Sequence, residues 1–193
     1  MIATKKDLQI LPFASQQAWE EWLSKNHTAT QGLWLKIAKK ASGIATVTYD
    51  EALEVALCYG WIDGQSKSID ENFYIQKFVH RGSRSMWSKR NCDIVTRLIK
   101  EKKMKQAGLA EIDAAKKDGR WERAYDSPKN MQIPDDFLQE LGKNKKAEAF
   151  FKSLNKTNLY SIGWRLQTAK KPETRVRRME AIIAMLAKGE KFH

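Results

Sequence analysis

Thr48-Tyr49-Asp50-Glu51-Ala52-Leu53-Glu54-Val55-Ala56-Leu57-Cys58-Tyr59-Gly60-Trp61 passes from helix chemistry to strand chemistry within fourteen residues. Thr48 and Glu51 have capping-box spacing, in which the hydroxyl takes the third helical amide and the carboxylate reaches back to the Thr amide. A helix therefore starts here. Ala52, Leu53, Ala56 and Leu57 form its buried face, and Gly60 supplies the left-handed residue that ends it. Trp61-Ile62-Asp63-Gly64-Gln65 then opens a strand or tight turn. Phe73 to Phe78 is aromatic-rich and reads as a second strand, with a hairpin across Ser66 to Asn72.

On the N-terminal side, Ser15 is placed to cap a helix over Gln16 to Asn26, with Trp19, Trp22 and Leu23 on one face. Leu33, Leu35 and Ile37 alternate with Trp34 and Lys36, the period of a half-buried strand, and Lys39 to Gly43 closes it as a turn. From Ser88 onward the pattern is helical. Ile94, Val95, Leu98 and Ile99 mark one helix. Leu109, Ile112 and Ala115 mark another that stops at Gly119. Trp121 to Tyr125 is a short aromatic element, and Pro134-Asp135-Asp136 opens a further helix with acidic groups opposing the dipole. Two more helices follow, one on Leu159, Ile162, Gly163 and Leu166, the other from Pro172 through Val176, Met179, Ile182, Ile183 and Leu186 to Gly189. The expected class is α+β: a small antiparallel sheet in the N-terminal part, packed by a mostly helical remainder.

The chain has 193 residues, 42% of them hydrophobic and seven of them tryptophan, enough for one sizeable core. A single domain over 1–193 is expected, with a mixed α/β part at 1–80 and a basic helical part at 81–193; no repeat or long linker divides it. Met1 to Asp7 lacks the apolar stretch of an export signal, and no later run is apolar enough to span a membrane. The cytoplasm is the expected location. Cys58 and Cys92 have no CxxC spacing. Cys58, near a helix C-terminus where the dipole disfavours a thiolate, reads as structural. His27, His80 and His193 are scattered, so neither a metal nor a cofactor is expected.

The formal charge is +12, unevenly spread. Residues 1–80 hold 8 Lys/Arg against 9 Asp/Glu, and residues 81–193 hold 27 against 14. Such asymmetry favours an anionic partner. The densest stretch is His80-Arg81-Gly82-Ser83-Arg84-Ser85-Met86-Trp87-Ser88-Lys89-Arg90-Asn91, a glycine-containing basic loop opening a helix, whose amides, arginines and hydroxyls together suit an anion. Neither a Walker motif nor a paired-glycine dinucleotide fingerprint is present.

Five collinear motifs, Thr48 to Ala52, Ala56 to Gln65, Arg84 to Asn91, Gly119 to Asp126 and Ala169 to Arg175, closely resemble the YdeI/OmpD-associated, bacteriocin-protection family. The resemblance runs over nearly all of the chain. It implies an association with bacteriocin protection and an outer-membrane porin, and no general catalytic mechanism. Val79-His80-Arg81-Gly82 stands where members commonly carry a proline and an extra arginine. Since nothing in the sequence directs export, a protective role would be intracellular or peripheral.

Three readings of function follow. The first is binding of a phosphate- or carboxylate-bearing ligand, with Trp61, Asp63 and Gln65 on one wall and Arg81, Arg84, Ser85, Trp87, Ser88 and Asn91 on the other. The second is nucleic-acid binding through Arg90, Arg97, Lys171, Arg175 and Arg178, the last three at helical spacing. The third is an enzyme acting on a small anionic substrate, with Asp63 or His80 as acid–base candidates. A purely protein-binding or membrane-surface role in stress protection fits the same composition.

Overall fold

A computed structural model describes residues 8–193, so the Met1 to Asp7 reading lies outside the described residues. The chain forms two compact units. Unit 1 comprises the residues up to Ser85 together with Asn91–Trp121, and unit 2 comprises Met86–Arg90 with Glu122–His193.

Unit 1 is α+β. Its strands are β1 (Ile10–Pro12), β2 (Gly32–Ala38), β3 (Trp61–Ser68) and β4 (Phe73–His80), in the order β1-β2-β4-β3. The three strands signalled by the sequence pair antiparallel as expected; β1 adds a parallel edge on β2, which makes the sheet mixed. Pro12 is tolerated there because an edge strand need not donate every amide. The period-two reading of β2 holds, with Leu33, Leu35 and Ile37 buried and Trp34 and Lys36 half-buried. On the half-buried side, Lys67 lies 4.9 Å from the Trp34 ring and Lys36 4.0 Å from the Phe73 ring.

Helix α1 (Gln16–Asn26) is capped by Ser15, and α2 (Tyr49–Cys58) by the full Thr48–Glu51 box. The Thr48 backbone and side-chain donors hold the Glu51 carboxyl below its usual range. Gly60, at φ 74°, turns the chain from α2 into β3. Trp19, Leu23, Leu53, Leu57, Trp61 and Phe78 are at most 2% exposed and form the centre of the core. Trp19 stacks on Trp22 at 5.5 Å, and Trp61 meets both edge-on.

Helices α3 (Lys89–Lys100) and α4 (Gln106–Lys117) follow. The end of α3 is a Schellman turn: the Lys103 amide reaches the Leu98 carbonyl and the Lys102 amide reaches that of Ile99. Lys102 occupies the left-handed position, φ 56°, that glycine usually takes.

Unit 2 is helical, with α5 (Asp135–Gly142), α6 (Lys145–Phe151), α7 (Lys156–Gln167) and α8 (Pro172–Ala187). Phe137, Leu141, Ala147, Ile162, Leu166, Ile182 and Leu186 are its buried cluster. Helix α6 carries no signal strong enough for the sequence reading to have separated it from α5. The Trp121–Tyr125 stretch forms turns and not a regular element, and within unit 2 Tyr125 makes an isolated bridge with Ser88. Among the described residues no helix is long and apolar enough to cross a membrane.

Candidate anion-binding site

The β3–β4 pairing sets two of the sequence-predicted stretches side by side. Trp61 pairs with His80, and the Arg81 amide donates to the Gly60 carbonyl at 3.0 Å. The chain then makes a four-residue turn. The Gly82 amide donates to Ser85 Oγ at 3.1 Å, and the Ser85 amide donates back to the Gly82 carbonyl at 2.9 Å. Ser85 is therefore a structural staple for the turn.

Beneath the turn lies a residue that the sequence reading did not assign. Arg120 donates from Nη1 to the Ser85 carbonyl at 3.1 Å, while its Nε lies 2.9 and 2.7 Å from the two Asp118 oxygens. Asp118-Gly119-Arg120 carried a local hint, an acid two residues before an arginine across a glycine; the contact with Ser85, 35 positions away, had none. Arg120 is 5% exposed and Arg81 only 2%. Burying guanidinium groups costs several kcal/mol of hydration unless partners replace the water. Arg120 is thus committed to holding the loop, and Arg81 lies below the surface.

The crown of the turn is different. Ser83 and Arg84 are exposed, and neither their amides nor their side chains bond to another described residue. Two successive amides, a hydroxyl and a guanidinium are left facing water, a set of donors of the kind that takes an anion.

The other candidates of unit 1 lie elsewhere. The Trp61 indole is 0% exposed and donates to the His27 carbonyl at 3.1 Å. A buried tryptophan is worth roughly 4–6 kcal/mol of gross transfer energy, more than a stacked ligand returns. Trp61 therefore belongs to the core. Asp63 stands two residues further along β3, roughly 7 Å by strand rise, where its carboxylate accepts the Tyr49 hydroxyl at 2.9 Å. Gln65 lies in a β-bulge between Asp63 and Ser66, and the buried Gln76 amide donates to the Gly64 and Gln65 carbonyls there. Asn91 is buried in α3. Trp87 and Ser88 belong to unit 2, where Trp87 is 1% exposed and its carbonyl accepts the Tyr125 amide.

His80 is exposed, opposite Trp61. Burial pushes the Cys58 thiol up to about 11, which keeps it protonated at neutral pH. Among the described residues no group of three or more His, Cys, Asp or Glu converges as a metal site.

Residues 11–111, more than half of the chain, match the model of a family described as a domain of unknown function (DUF8412). The chain belongs to that family. Residues 130–189 match a second family, described as bacteriocin-protection, YdeI or OmpD-associated, so this span is a YdeI/OmpD-associated domain. The match is narrower than the resemblance read from the sequence: of the five motifs only Ala169 to Arg175 falls inside it, and the first three fall inside residues 11–111. No curated protein and no solved structure matches the chain.

Within the YdeI/OmpD-associated domain, one of the candidate phosphate contacts is paired and a second is partly engaged. Arg175 forms a two-pronged pair with Asp136, and Arg178 Nη1 donates to the Arg165 carbonyl at 2.7 Å. Lys171 is exposed at the N-cap of α8. In unit 1, Arg97 is shared between Glu54 and Glu101. Arg90 is exposed, in the short unit 2 segment before Asn91.

Proposed function

We propose that the chain binds a small phosphate- or carboxylate-bearing ligand at the Gly82–Ser85 turn. One observation carries this reading: the Ser83 and Arg84 amides, the Ser83 hydroxyl and the Arg84 guanidinium are exposed, unengaged donors on a turn anchored by the Ser85 staple and the Arg120 contact. Arg84 grips the anion through paired N–H groups and the Ser83 hydroxyl and amides complete the contact. Ser85 supports the turn through its hydroxyl and Arg81 through its amide, while Asp63 and Gln65 lie further along β3, away from the turn. The wording of the family matched by residues 130–189 supports a setting in bacteriocin protection; we extend this to envelope-stress protection and a cytoplasmic compartment.

Nucleic acid is disfavoured because Arg97 and Arg175 are already paired with carboxylates of the protein. Calorimetric titration of the full chain with inorganic phosphate, a mononucleotide and single-stranded RNA, each at low and moderate salt, separates the readings. Charge-assisted bonds of about 1.5–3 kcal/mol predict a loss of roughly tenfold or more in mononucleotide affinity for Arg84→Ala. Stronger binding of RNA with a steep salt slope, unaltered by Arg84→Ala, overturns the proposal.

A further inference from the structure

Unit 2 contains a cavity of about 350 Å³ inside the YdeI/OmpD-associated domain and its C-terminal extension, lined by Trp164, Arg165, Arg178, Ala181, Ile182, Met185 and Phe192. Its body is apolar, its only charges are two arginines, and it contains no acidic residue. That combination is the ordinary make-up of a small-molecule site: apolar walls with a few polar groups that fix orientation.

The way the two arginines are held sharpens the ligand chemistry. Arg165 spends Nη1 on the Ser161 carbonyl at 3.3 Å, and Arg178 spends Nη1 on the Arg165 carbonyl at 2.7 Å and the Thr168 hydroxyl at 3.4 Å. Each keeps its Nε/Nη2 edge without a partner among the described residues. That edge is the side-on fork that meets a carboxylate with two parallel hydrogen bonds. Structural bonds through Nη1 thus fix each guanidinium while leaving its recognition edge open.

The remaining wall is built by the C-terminal segment. Asn158, 1% exposed, accepts the Phe192 and His193 amides on Oδ1, both at 3.1 Å, and returns an Nδ2 hydrogen bond to the His193 carbonyl at 3.3 Å. This clamp seats the Phe192 ring 3.8 Å from the Arg165 guanidinium carbon. A buried asparagine with three backbone partners fixes this segment firmly, and here it sets an aromatic ring against a cation in the cavity lining.

We infer that this cavity binds an amphipathic monoanion, a carboxylate carrying a flat apolar body. The body lies against Ile182, Met185 and the Trp164 and Phe192 rings, and the carboxylate meets the open arginine edges. A phosphate dianion with the same body is the poorer fit, because apolar walls raise the cost of stripping water from a second charge.

The test uses the full chain and follows Trp fluorescence during titration with naphthalene-2-carboxylate, naphthalene-2-carboxamide and 2-naphthyl phosphate. The carboxylate is expected to bind saturably and about tenfold more tightly than the neutral amide, from one charge-assisted pair. Arg165→Gln should erase that preference while still binding the amide. Ala181→Trp, a substitution at an exposed helix position that fills the cavity, should remove carboxylate binding and leave the helical circular dichroism unchanged. Equal binding of carboxylate and amide, tighter binding of the phosphate, or full affinity in folded Ala181→Trp each overturns the inference.

Discussion

The two units pack helices closely at a glycine, against unlike obstacles. In unit 1, a Cβ on Gly108 of α4 would lie 2.4 Å from the Cys58 carbonyl oxygen and 2.6 Å from that of Leu57. In unit 2, a Cβ on Gly163 of α7 would meet the Met131 side chain, 2.7 Å from Cγ and 2.8 Å from Sδ. Backbone carbonyls at the end of a helix cannot step aside, whereas a thioether side chain can change rotamer. Unit 1 is thus rigid where α4 meets the end of α2, and unit 2 has slack beside α7.

The sharpest break in that contrast is a pair of alanine substitutions. Gly108→Ala should cost about 2–3 kcal/mol, the upper range of overpacking, and Gly163→Ala about 1 kcal/mol or less, partly returned by the helix propensity of alanine. Urea unfolding midpoints of both variants check this; equal losses would show that Met131 is as immovable as the backbone.

Acid should weaken both units. Hydrogen bonds from Lys103 and Arg97 hold Glu101 in unit 1 below its ordinary range, and the Arg175 pair does the same for Asp136 in unit 2. Asp126 is pushed up by burial, but Gln167 and Lys89 outweigh this and its carboxyl is lowered too. A depressed folded-state pKa gives stability that is fully present above the unfolded value of about 4 and is lost as pH falls through the folded value. The urea midpoint should therefore hold near neutrality and drop below about pH 4. Asp126→Asn should make that drop shallower, and an unchanged acid slope would remove Asp126 from the account.

The smallest expected effect concerns Lys102. A lysine in the left-handed region carries a penalty of about 1 kcal/mol, partly offset by the greater chain entropy that glycine loses on folding. Lys102→Gly should raise stability by a few tenths of a kcal/mol, and a clear loss would mean that the lysine side chain has a role of its own.

Legibility in the sequence followed the range of the interaction. The Thr48–Glu51 box, the Gly60 stop and the alternation in β2 are set by neighbours within four residues, and all three stand in the structure. Strand β1 is three residues long, includes Pro12 and exists only through its pairing with β2. No local period announces it. The same limit governs the candidate site. The basic character of residues 81–91 was plain, but the division between the buried Arg81 and the exposed Arg84 depends on contacts remote in the chain, and the Arg120 support beneath Ser85 is remote as well. Trp61 belongs to the same aromatic stretch as Asp63 and Gln65 in the sequence, but its ring packs on Trp19 and Trp22 and its indole donates to the His27 carbonyl.

Binding at the crown of the Gly82–Ser85 turn is tested most directly by amide chemical-shift mapping of the full chain during titration with inorganic phosphate. Saturable shifts centred on Gly82, Ser83 and Arg84, abolished by Arg84→Ala, are the predicted result. Shifts that never saturate, or that centre on other basic segments such as Lys171 and leave the turn untouched, would contradict it.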